Sequence, residues 1–140
     1  MRAGLLLACI AMVATAAAAT NSALSIKRSI YVERESDGGV SLEPAETLKA
    51  GDRIVTVMQW DADDAPHKFT LASEIPPTIA YQRSSREALE VSVDGGRTWG
   101  QLEMMRVGER QAWPEDVTNL RWQVAARDTD TAVSYSAVVR

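Results

Sequence analysis

An all-β fold, one antiparallel sandwich or small barrel of about seven to eight strands, is predicted by three observations. Apolar residues recur at every second position, turn residues separate the runs, and no strands alternate with stretches of helical period. Taken in order, Ile26, Ile30 and Val32 give a loose first strand. Residues 54–60, with Val55, Val57 and Met58, are apolar on both faces, as a central strand is. Leu89, Val91 and Val93 alternate with Glu90, Ser92 and Asp94; Leu120, Trp122 and Val124 alternate with Arg121 and Gln123. Val133, Tyr135, Ala137 and Val139 alternate with Ser134 and Ser136. Turn signals fall between them at Asp37-Gly38-Gly39, Ala50-Gly51-Asp52, Asp63-Asp64-Ala65-Pro66, Pro76-Pro77, Asp94-Gly95-Gly96, Gly108 and Trp113-Pro114. Single helical turns are expected only at residues 85–89 or 114–117.

The first nineteen residues read differently. Arg2, an apolar stretch over residues 5–14 and the run Ala16-Ala17-Ala18-Ala19 make a cleavable secretory leader, with Ala17 and Ala19 supplying the cleavage signature. The stretch is too short for an anchor, since a spanning helix needs about 20 apolar residues. Leu6-Leu7-Ala8-Cys9 resembles a lipoprotein box, but its cysteine comes too early to leave a full apolar region before it. The expectation is therefore a signal peptide at 1–19 and one domain at 20–140, exported to the periplasm or secreted, with no stable membrane insertion after cleavage. Of 140 residues, 19 leave with the leader, and the remaining 121 suffice to bury about two-thirds of the unfolded surface.

Arg2 is lost with the leader, so 14 basic residues face 19 acidic ones and the mature charge is −5. Without a clustered basic face, nucleic acid is not an expected partner. Cys9 is the sole cysteine, so core packing rather than a disulfide must hold the domain.

Several stretches carry a resemblance. Leu42-Glu43-Pro44, then Leu48-Lys49-Ala50-Gly51-Asp52-Arg53-Ile54-Val55, then Ser73-Glu74-Ile75-Pro76-Pro77-Thr78-Ile79-Ala80-Tyr81 are similar to the conserved repeat domain of bacterial and archaeal envelope proteins. Residues 91–99 and 116–122 resemble stretches of its exported relatives. The resemblance covers most of residues 40–125 and implies an Ig-like β-sandwich in which a Gly-Asp turn launches a strand. One departure is Trp60-Asp61-Ala62-Asp63-Asp64, where the family commonly places an Asn.

Ser92-x-Asp94-x-Gly96-x-Thr98-Trp99 matches the Asp-box pattern of sialidases and other propeller proteins. Its physical content is a stabilised hairpin. Asp94 folds its carboxylate onto backbone N–H groups, glycine accepts positive φ, and Trp99 packs beneath. The chain cannot supply the four or more blades of a propeller, so Ser92, Asp94, Gly96 and Trp99 are read as a structural turn.

Asp61, Asp63 and Asp64, with His67 close behind, form an acidic loop. Carboxylate oxygens at such density can gather around Ca²⁺, and an imidazole with carboxylates can hold a transition metal. An EF-hand counted from Asp61 would want glycine and glutamate where Pro66 and Ala72 stand. The competing reading is a solvated loop between strands, and no cofactor is expected.

No G-x-S-x-G elbow, H-E-x-x-H or phosphate loop is present, and His67 is the sole histidine. Pro114-Glu115-Asp116 reads as a turn with Asp116 capping Thr118 or Asn119, rather than as an acid–base pair. Among the four tryptophans, Trp122 should face inward and Trp60 end a core strand, while Trp113 is the one expected in solvent. The expectation is a non-catalytic Ig-like module acting through an envelope or extracellular protein partner or through self-association. The alternative is a small Ca²⁺- or ligand-binding protein using the loop at residues 61–67.

Overall fold

The computed structural model describes residues 24–87, 89–125 and 128–140. The leader expected at residues 1–19 lies outside them. Among the described residues ten strands form: β1 (Ile26–Ser36), β2 (Gly39–Pro44), β3 (Arg53–Trp60), β4 (Lys68–Glu74), β5 (Ile79–Ser84), β6 (Leu89–Ser92), β7 (Arg106–Val107), β8 (Arg110–Gln111), β9 (Asn119–Ala125) and β10 (Ala132–Val139). Two three-residue 3-10 turns, Leu102–Met104 and Pro114–Asp116, are the only helical elements among the described residues. The second matches the turn expected after Pro114; residues 85–87 bend without forming a helix, and Leu89 opens β6. The count exceeds the expected seven to eight partly through the two-residue hairpin β7–β8.

All pairings are antiparallel. One sheet runs β2-β1-β3-β10-β5, the other β4-β9-β6. They share a single core, so the all-β sandwich is the architecture. Ile54, Met58 and Trp60 of β3, with Val133, Tyr135 and Ala137 of β10, face Leu71 of β4 and Leu120, Trp122 and Val124 of β9. Trp122 is 0% exposed and stacks on Tyr135 across the layers at 6.5 Å, while its Nε1–H donates to Ser84 Oγ at 2.9 Å. Trp60 meets Phe69 edge-on at 5.4 Å. The every-second-residue pattern thus delivers the indoles and branched side chains to one interior.

From β3 onward the chain crosses between these two sheets at β3 to β4, β4 to β5, β5 to β6 and β9 to β10, and between β6 and β9 it makes the separate two-stranded sheet β7–β8. With β10 between β3 and β5, and β9 between β4 and β6, this is the winding of a jelly roll. The Ig arrangement implied by the repeat-domain resemblance keeps A with B, D with E and F with G in one sheet. Two antiparallel layers around one core are common to both.

The layers differ in width. Five strands stand against three, and the surplus is at β1 and β2. Val32 is the one fully buried residue of β1, and every residue of β2 is exposed. The hairpin β1–β2 therefore overhangs the sandwich. β3 starts from the Gly51-Asp52 turn: Gly51 has φ +88°, its N–H donates to Val139 O at 2.8 Å, and Asp52 Oδ2 accepts the Lys49 N–H at 2.9 Å.

Candidate functional site

Ser92, Asp94, Gly96 and Trp99 meet in one tight turn after β6. Alternation predicts Ser92 in solvent, yet it is fully buried beneath the turn. Its Oγ accepts the N–H of Gly96 at 2.9 Å and donates to Asp94 Oδ1 at 2.7 Å. Asp94 also accepts the N–H of Arg97 at 3.0 Å, and from Thr98 both the N–H at 2.9 Å and the hydroxyl at 2.7 Å. The Thr98 hydroxyl, its N–H, the Ser92 hydroxyl and the Arg97 N–H hold the Asp94 carboxyl well below its ordinary range. Gly95 and Gly96 take φ +76° and +87°. The Trp99 indole N–H donates to Gly96 O at 2.9 Å, and the Arg121 guanidinium lies 4.4 Å above its ring. Val91 and Gly100 exchange backbone bonds of 2.8 and 3.1 Å, closing the loop. The Ser92 hydroxyl, the Asp94 carboxylate and the Trp99 indole N–H all bond within the turn, and the Gly95 N–H ties it to Thr118 Oγ1 at 2.9 Å.

The excursion from Gln101 to Thr118 is tied down in the same way. Arg110 holds Asp116 through two bonds of 2.7 and 2.8 Å, and Asp116 accepts the Trp113 N–H at 2.8 Å. Arg110 first and the Trp113 N–H second lower the Asp116 carboxyl to about 2. Asp116 therefore reaches back to Trp113 instead of forward to Thr118 or Asn119, because Pro114 at the start of the 3-10 turn brings the Trp113 N–H to it. Trp113 itself is 60% exposed, as its place in the turn predicts. A concavity of about 490 Å³ beside this segment carries Glu74, Glu115 and Arg140, whose guanidinium bonds Glu115 O at 2.7 Å.

At the opposite end, Asp61, Asp63, Asp64 and His67 are all exposed. Asp61 Oδ1 accepts the Asp63 N–H at 3.0 Å, an Asx turn. Among the described residues, no three His, Cys, Asp or Glu side chains lie close enough to hold a metal ion. Nearby, Trp60, Phe69 and His67 line a cleft of about 320 Å³.

Sequence reasoning used Leu42-Glu43-Pro44 for the resemblance but did not read residues 39–44 as a strand, the edge strand β2. Val40 and Leu42 are 64% and 51% exposed, and with Pro44 they share the outer face with Tyr31, Val55 and Val57. Tyr31 stands between Pro44 and Val55 in register, so the apolar surface runs across three strands. The available signal was Val40-Ser41-Leu42-Glu43, an alternating run straight after Asp37-Gly38-Gly39.

Compared with protein-family models, curated proteins and solved structures, the chain matches none. No helix among the described residues is long and apolar enough to cross a membrane.

Proposed function

We propose that this chain is an exported, non-catalytic module of the cell envelope or extracellular space, akin to the envelope repeat domain, which acts through protein contact or self-association at the β2 edge. The observation that carries the reading is the overhanging strand Gly39–Pro44, exposed along its whole length and bearing Val40 and Leu42 in solvent. A single edge strand offers main-chain hydrogen bonds for affinity and alternate side chains for selectivity. The leader-like residues 1–19 support export. The commitment of Asp94 and Asp116 to internal donors supports a scaffold role for their turns.

A photo-crosslinking side chain at position 42, carried by the protein in its native envelope fraction, tests this reading. Crosslinked protein from position 42, and none from a control at exposed Thr70 of β4, is the expected result. No adduct from position 42 refutes the contact surface, and a mature N-terminus at Met1 refutes export.

A further inference from the structure

The free side of β2 has a readable hydrogen-bond pattern. Ala45 N–H donates to Ile30 O at 3.0 Å, one step beyond the Tyr31–Pro44 pair. Antiparallel ladders alternate, so Glu43, Ser41 and Gly39 also spend their backbone groups on β1. Val40 and Leu42 then aim their N–H and C=O outward. Pro44 belongs to the same outward set, where its missing N–H costs β1 nothing. Glu43 is the only charged residue of β2, and no lysine or bulge blunts the edge.

A strand pairing with its own copy about a two-fold axis must match outward residue to outward residue, which leaves registers centred on Val40, Ser41, Leu42, Glu43 or Pro44. Centring on Glu43 faces two carboxylates and sets Leu42 against a Pro44 with no N–H, and centring on Pro44 opposes two such prolines. Centring on Val40 sets Glu43 directly opposite Asp37 of the second copy, a like-charge pair. Centring on Leu42 brings Pro44 into the ladder, where its lack of an N–H forfeits a bond on each side. Centring on Ser41 meets none of these obstacles. Val40 pairs with Leu42 of the second copy twice over, giving four main-chain bonds, and Glu43 falls opposite Gly39.

We propose that β2 pairs antiparallel with β2 of a second copy, Ser41 facing Ser41, so that two five-stranded sheets become one of ten. This rests on the reading of β2 as the contact surface and names its occupant. The Val40 and Leu42 side chains of both copies then form one apolar row on the outer face.

Sedimentation equilibrium of the protein and of its Val40→Lys/Leu42→Lys variant tests the pairing. Both positions are exposed, so the variant should keep its far-ultraviolet spectrum while its dimer dissociation constant rises at least about tenfold. Register is read separately with Ser41→Cys in a Cys9→Ser background. A non-hydrogen-bonded pair sets Cα atoms about 4.5 Å apart, within disulfide reach. Mild oxidation should link Ser41→Cys far faster than Thr47→Cys. A protein monomeric at hundreds of micromolar, a dimer indifferent to the two lysines, or no preference for position 41 overturns the proposal. Monomer together with crosslinks from position 42 to a different protein removes the second copy and leaves the contact surface standing. An indifferent dimer with no such crosslinks removes both.

Discussion

Ser92 shows how one side chain can decide a loop. Its buried hydroxyl accepts the Gly96 N–H while donating to Asp94, so Ser92→Ala strands a backbone donor under the turn. The expected cost is about 1–3 kcal/mol, read from urea unfolding at neutral pH. Asp94 adds an acid dependence of defined sign. Its carboxyl sits below the ordinary 3.8, so its contribution is whole above that pH and is lost as pH falls toward the folded value. Asp94→Asn should melt lower than the parent at pH 7, with the gap closing in acid. Tyr81 works at the other limit: burial first, and the Glu103 charge second, push its hydroxyl up to about 12 from 10.0. That stability is complete below pH 10 and drains away as pH climbs toward 12, and Tyr81→Phe should flatten the alkaline loss of melting temperature. The sequence exposes the chemistry of Ser92-x-Asp94-x-Gly96 because hydroxyl, carboxylate and glycine spacing is local. It hides the burial of Ser92, because alternation assumes an unbroken strand and β6 stops at that residue.

Among the elements, those with strong alternation were legible. The Ile54, Trp122 and Val133 runs became β3, β9 and β10, with the expected inward faces. The strand β2 was obscured because an overhanging edge needs few apolar residues, and β7–β8 because two residues carry no period. The Gly51 turn was legible and is testable: no atom lies within 4 Å of a Cβ built there, so Gly51→Ala meets no clash. Its φ of +88° alone sets the cost, about 1–2 kcal/mol in chemical denaturation. The acidic loop makes the opposite point, since three aspartates in sequence did not become a cluster in space. Asp61 turns its Oδ1 to the Asp63 N–H, and millimolar Ca²⁺ should leave the melting temperature unchanged. A rise would support the metal-binding alternative.

For the whole molecule, stability is concentrated where five strands and three overlap. Trp122 reaches through that overlap, stacked on Tyr135 and bonded to Ser84, so it ties β9 to β10 and β5 at once. A domain of this size has about 5–15 kcal/mol to lose, and Trp122→Ala should remove about 3–5 of it, leaving a protein marginal at 37 °C. The overhang follows a different rule. β2 is tied only to β1 and buries nothing, so its exchange with solvent needs no opening of the core. Native-state hydrogen exchange should therefore rank β9, β3 and β10 slowest and the β1–β2 hairpin fastest in dilute protein. Raising the concentration should slow Val40 and Leu42 selectively, since those are the amides a second β2 would cover. Equal protection of β2 and β10 at every concentration would contradict the division into a closed core and an open edge.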